Sequence, residues 1–129
     1  MPNENIIETV DLSKFFYDPV EFQALKNINL KIKKAEFAAI VGSSGSGKST
    51  LLYVLSTLDT NYQGHIYFDG DDLSSKSKNE LAEIRNEKIG FVFQFHYLLP
   101  EFTVLENICI PALKLAKYSE EEITERAYQ

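Results

Sequence analysis

Hydrophobic and polar positions fall into short runs whose periods change along the chain. Ile6, Ile7 and Val10 mark an apolar-rich run over 6–10 that predicts a strand. Over 24–32 the alternation is clean, with Ile28, Leu30 and Ile32 on one face and Asn27, Asn29 and Lys31 on the other, as in a half-buried strand. Lys33, Lys34 and Ala35 mark a turn. After Glu36, the residues Phe37, Ala38, Ala39, Ile40 and Val41 run without a polar break, the pattern of a strand covered on both faces. Residues 50–58 change to helical spacing: Leu51, Leu55 and Leu58 form a stripe with Leu52 and Val54 beside it, which leaves little of the helix to face water. Ile66 and Phe68 share one face of a strand over 64–68, closed by the turn pair Asp69 and Gly70.

The second half is more polar. A helix is predicted over 76–88, where Ser77 and Glu80 have capping-box spacing ahead of Leu81 and Ile84. An apolar strand over 89–93 follows. Thr103 and Glu106 repeat the box and open a helix expected to break near Pro111. Ser119 and Glu122 repeat it again, and Glu120, Glu121 and Glu122 suit a solvated first turn, where the helix dipole favours acids. This last helix has only begun when the sequence stops at Gln129, which reads as an incomplete domain.

Composition narrows the classes. The chain has 129 residues, 44% hydrophobic and 25% charged, the balance of one globular domain. Thirteen Lys and Arg against nineteen Asp and Glu give a net charge of −6, so general nucleic-acid binding is not expected. Cys109 is the single cysteine and has no partner for an intrachain disulfide. It is expected to be a buried helix residue, and His96 a surface one. No basic and apolar leader opens the sequence, and no window reaches the apolar length of a membrane span. A cytoplasmic chain without direct membrane insertion is expected.

The candidate chemistry lies in Gly42, Ser43, Ser44, Gly45, Ser46, Gly47, Lys48 and Ser49, which satisfy the phosphate-loop pattern G-x-x-x-x-G-K-[ST] between an apolar run and a helix. Glycines let the backbone approach a phosphate, and successive N–H groups form an anion nest at a helix N-terminus. Lys48 is placed to reach β- and γ-phosphates, the Ser49 hydroxyl to ligate Mg²⁺, and Thr50 to lie nearest the α-phosphate. No guanine-reading N-K-x-D is present, and Arg85 and Arg126 are too few for a kinase lid.

The loop and its continuation through Thr50, Leu51 and Leu52 resemble the Walker A segment of ABC-transporter ATPase subunits. The later run Ile89, Gly90, Phe91, Val92, Phe93, Gln94, Phe95, with Leu98, Leu99, Pro100 and then Thr103 to Asn107, resembles the Q-loop region of the lipoprotein-releasing, macrolide-export and cell-division branch. The resemblance implies an α/β P-loop NTPase fold of ABC ATPase type, incomplete, with antiparallel β-subdomain strands. It implies a partial ATP-binding core over 1–94 and the truncated start of a helical subdomain over 95–129. Carried over, Phe16 is the aromatic that stacks on adenine, with Tyr17 next door as a competitor. Gln94 is the Q-loop glutamine that touches Mg²⁺ and the attacking water. Residues 95–102, from Phe95 to Phe102, contact the membrane permease, and a second ATP-binding subunit completes a dimer at the inner face of the membrane.

The signature L-S-G-G-Q, the Walker B carboxylates and the switch histidine of that family are not found in residues 95–129. The resemblance therefore implies the N-terminal half of the domain, ATP and Mg²⁺ binding without appreciable turnover by these residues alone, and an apolar run over 36–41 without its neighbouring strands. Such a chain is expected to be marginal, oligomeric or rearranged. A non-catalytic half-domain that binds nucleotide or permease, and another P-loop enzyme such as a kinase, stay open on the residues. Ala35 departs from the family's usual glycine, at a cost of about 1 kcal/mol if the turn needs positive φ.

Overall fold

A computed structural model describes residues 3–129. The chain divides into two compact units, one up to Ala82 and one from Glu83 onward.

The first unit is built on a four-stranded antiparallel sheet of order β2-β1-β3-β4, with β1 Asn5–Phe16, β2 Phe22–Lys33, β3 Gln63–Phe68 and β4 Asp71–Asp72. The strand expected over 6–10 thus runs on to Phe16. Its polar half lacks the alternation that marks a strand, but it lies beside β2 throughout and pairs with β3 as far as Ser13, and ladder bonds on two sides override weak local preference. Side chains replace ladder bonds where the register slips between Thr9 and Leu12 and again between Leu12 and Lys14. The Asn27 N–H donates to Ser13 Oγ at 2.9 Å, and the Asp11 N–H to Asn29 Oδ1 at 2.9 Å.

Helix α1 spans Lys48–Leu55 and buries Leu51, Val54 and Leu55. It is shorter and wetter than its pattern suggested, since Leu52 and Leu58 are exposed. Leu12, Leu25, Ile66, Leu73 and Leu81 are the other buried apolar residues described in this unit.

Residues 36–41 form no strand. Phe37 is 97% and Val41 86% exposed. A continuous apolar strand is stable only with ladder partners and covering layers, and no strand of the described residues pairs with this run. The expected loss of neighbours is therefore observed. Residues 89–93 likewise form no strand, with Val92 97% exposed, for the same lack of a ladder partner.

Helix α2 covers Lys78–Lys88 and opens as its sequence predicts. The Ser77 N–H and Oγ–H both donate to Glu80 Oε2, at 2.8 and 2.6 Å. In the second unit, α3 spans Val104–Leu115 and α4 Glu120–Ala127. Thr103 and Glu106 form the full capping box of α3, and Ser119 Oγ accepts from the Glu122 N–H at the start of α4. Cys109 is buried in α3, His96 is exposed, and the acidic run is the first turn of α4.

The break expected at Pro111 does not occur: α3 passes through it and ends at Ala116 in a left-handed cap. Proline removes one N–H from the i to i−4 ladder. Caps at both ends and the burial of Cys109 in α3 and Ile123 in α4 outweigh that loss. No helix among the described residues is long and apolar enough to cross a membrane.

Ala35 stands at φ 60°, in the left-handed region that disfavours a Cβ. Ala35→Gly should therefore raise stability by up to about 1 kcal/mol, read from the urea midpoint at unchanged slope. Hydrogen bonds from Ser77 and from Thr103 hold the Glu80 and Glu106 carboxyls below the usual glutamate value. The charged forms are the ones bonded in the fold, so the stability they add is complete above the ordinary glutamate pKa and is lost as pH falls through the lowered values. Acid unfolding of Glu80→Gln/Glu106→Gln should begin less steeply in that range than that of the unaltered chain.

Candidate phosphate-binding site

The turn after residues 36–41 carries the loop into α1. Gly45 and Gly47 take φ of 77° and 91°, conformations that L side chains rarely adopt. Gly47 is also the N-cap of α1 and has no side-chain cap. A Cβ there would stand 2.7 Å from the Ala24 carbonyl oxygen and 3.3 Å from Leu25 Cδ2 of β2. Only a residue without a side chain lets the helix start this close to the sheet. Within the loop the Ser46 N–H donates to the Ser43 carbonyl at 3.2 Å, and the Leu51 N–H closes the first helical turn on Gly47 at 2.9 Å. The first amides of α1 are thus left facing outward with the positive end of the helix dipole.

Lys48 folds back over the loop. Its Nζ donates to the carbonyls of Gly42 at 2.9 Å and Ser43 at 2.6 Å and to Ser46 Oγ at 3.2 Å. Ser44 and Ser49 are exposed and Thr50 is half-buried. This donor set fits a polyphosphate: glycine conformations that open the backbone, an uncapped helix start and an ammonium held by neutral acceptors that a phosphate oxygen can replace. The Ser49 hydroxyl is a hard oxygen of the kind Mg²⁺ takes.

Phe16 ends β1, opposite Phe22. The residue is 41% exposed, and Lys14 Nζ lies 4.9 Å from its ring centroid. Tyr17 is 63% exposed and stacks on Phe15 with centroids 6.3 Å apart. Sequence reading passed over Lys14. This lysine is buried and ion-paired to Asp59 at 2.8 Å, and it also donates to the Asn61 carbonyl at 2.6 Å. A cation between Leu12, Ser13 and two phenylalanines in a strand was the available signal, since a lysine buried in a strand requires a fixed anion.

Gln94 and residues 95–102 belong to the second unit. Gln94 is exposed in a bend, and no strand leads into it. Phe95, Tyr97, Leu98, Leu99 and Phe102 are all exposed, while Phe93 packs against Phe91 and Tyr97 with ring centroids 4.5 and 5.0 Å apart. The loop behind them is fixed by Asn107, which accepts from the Leu99 N–H at 2.8 Å and donates to the Leu99 carbonyl at 3.0 Å.

A glycine loop with positive φ, closed on an uncapped helix start by a lysine, defines a P-loop protein. Residues 25–129 match the ABC transporter family, and the chain belongs to it. It is 49% identical to the lipoprotein-releasing system ATP-binding protein LolD of Buchnera aphidicola subsp. Schizaphis graminum, over 100% of this chain and 56% of that protein. It is 45% identical to LolD 1 of Chlorobium chlorochromatii, over 98% and 52%. Among solved structures, a dimeric ATP-binding cassette in a post-hydrolysis state bound to ADP and Pi aligns with TM-score 0.87 and 39% identity, over 95% of this chain and 54% of that one. A dimeric bacterial ABC transporter cassette aligns with TM-score 0.84 and 41% identity, over 93% and 53%. The chain spans about half the length of the curated relatives it matches.

The two loop glycines separate strain from collision. Gly45→Ala meets no atom within 4 Å and should cost only the backbone penalty of about 1 kcal/mol. Gly47→Ala adds a clash with backbone and should cost at least about twice that. Urea denaturation of the two variants checks the order, and equal losses would contradict the close approach of α1 to β2.

Proposed function

We propose that this chain is the nucleotide-binding part of an ABC transporter ATPase of the lipoprotein-releasing type, and that its phosphate loop holds Mg-ATP. The observation that carries the reading is the uncapped start of α1, with Gly47 at φ 91° and Lys48 resting on exchangeable carbonyls. The amides around Gly42, Ser43, Ser44, Gly45, Ser46 and Gly47 surround the β-phosphate. Lys48 leaves the carbonyls of Gly42 and Ser43 for the β- and γ-oxygens, exchanging neutral acceptors for charged ones. Thr50 binds near the α-phosphate, and Phe16 stacks on the adenine.

A Mg²⁺ ion, when bound, would supply the positive charge that offsets the phosphate oxygens. The Ser49 hydroxyl and the Gln94 side chain are the residues that would hold it. In a full-length ATPase, Lys48 and Gln94 take part in hydrolysis, the first by holding the γ-phosphate and the second by orienting the attacking water. Residues 1–94 then act as the nucleotide-binding part and residues 95–129 as the start of a helical part.

The relatives' names, as parts of a lipoprotein-releasing system, support a place at the inner face of a membrane, bound to a permease. The exposed apolar side chains of Phe95, Leu98, Leu99 and Phe102 are the proposed permease contact, because a cluster of this kind seeks a partner. The dimeric form of the solved cassettes supports pairing with a second ATP-binding subunit.

Calorimetric titration with Mg-ATP tests the reading. Saturable binding is expected, weakened by about tenfold to a hundredfold in Lys48→Ala, the worth of charge-assisted hydrogen bonds. Phosphate release by the 129 residues is expected to equal that of the Lys48→Ala control. Turnover near about 10 s⁻¹, lost in that control, would contradict the assignment of hydrolysis to a longer protein.

A further inference from the structure

Lys14 is a buried cation that the proposed nucleotide chemistry does not use. Its side chain is 4% exposed. All three ammonium donors have a direction: Asp59 Oδ2 at 2.8 Å, Asp59 Oδ1 at 2.9 Å and the Asn61 carbonyl at 2.6 Å. Asp59 is itself fixed, because its Oδ1 accepts from the Asn61 N–H at 2.9 Å. Lys14 and Phe16 are alternate residues of β1 and so share a face of the strand. The held ammonium lies over the Phe16 ring, 4.9 Å from its centroid.

Burial of a lysine is expensive, and an apolar residue packs a sheet more cheaply. The position of this charge does two things that methionine would not. It attracts the π-electrons of Phe16 toward one face, so the opposite face is less electron-rich and repels the π-cloud of a purine less. It also ties the strand that ends in Phe16 to the segment that follows α1, the helix whose first turn forms the phosphate loop.

We propose that Lys14, held by Asp59, is a positioning residue for base recognition: it orients and polarises the Phe16 ring so that the chain binds a purine nucleotide more tightly than its bare polyphosphate. The proposal rests on the reading of Phe16 as the stacking aromatic.

The test compares Mg-ATP with Mg-tripolyphosphate by calorimetry on the full 129-residue chain. The unaltered chain should favour ATP. Lys14→Met keeps length and apolar bulk, and should cut that preference about fivefold to tenfold, with the loss confined to ATP and tripolyphosphate affinity unchanged. An unchanged preference, or a loss shared equally by both ligands, overturns the proposal. Phe16→Ala should erase the preference. If Phe16→Ala keeps it, the stacking reading fails and the proposal with it. If Phe16→Ala erases it while Lys14→Met does not, only the role of Lys14 fails.

Lys14→Met leaves Asp59 without its cation, so Lys14→Met/Asp59→Leu, which removes both charges, is measured beside it with the same expected loss. The unaltered chain supplies an independent readout. The Lys14 Hε protons lie in the ring current of Phe16, and their resonances should move with Mg-ATP and stay in place with Mg-tripolyphosphate. Resonances that stay in place with both, at saturating ATP, overturn the proposal.

Discussion

The approach of α1 to β2 at Gly47 is the constraint on which the rest depends. The Ala24 carbonyl oxygen lies 2.7 Å from where any other residue would place its Cβ, too close for one to fit. The sheet therefore decides where the helix begins, and the helix start decides where its free amides point. With Leu51, Val54 and Leu55 buried, α1 has no freedom to rotate those amides away. The phosphate loop is thus a consequence of packing as much as of motif. Its glycines are needed for conformation at Gly45 and for both conformation and space at Gly47.

The same logic explains how the first unit keeps the geometry of the loop although the apolar run leading into it has no ladder partner among the described residues. Burial of Leu12, Leu25 and Ile66 secures the sheet, and the Lys14–Asp59 pair secures its link to the segment after α1. The apolar run is secured by neither. Its exposed Phe37 and Val41 are sites where another chain can pair or pack, which sets the solubility of the protein apart from the integrity of its loop.

Much of this was legible in the sequence, for physical reasons that differ by element. The capping boxes at Ser77 and Thr103 and the Ser119 cap declared themselves because their chemistry is local: an acceptor and a donor three residues apart meet whatever surrounds them, although the Glu122 side chain turns to Arg126 and leaves the third box half made. The Walker pattern was legible for the same reason, and the turn at Ala35 was legible while its positive φ was not. The runs over 36–41 and 89–93 misled because a strand is defined by its neighbours, and hydrophobicity says only that neighbours are wanted. Pro111 misled in the opposite sense, since a helix capped at both ends absorbs one lost hydrogen bond. The polar half of β1 was hidden because its order comes from pairing with β2, which alternation within one strand does not reveal, and the buried Lys14 because Asp59 lies far along the chain.

The central claim is that these residues alone form a polyphosphate cradle at the start of α1. The most direct measurement is the change in backbone amide chemical shifts of the uniformly ¹⁵N-labelled chain when Mg-ATP is added. The account predicts saturable shifts concentrated in the amides from Gly45 to Thr50, with smaller ones at Phe16 and its neighbours. Shifts spread evenly over the chain, or absent from the loop while present elsewhere, would contradict it.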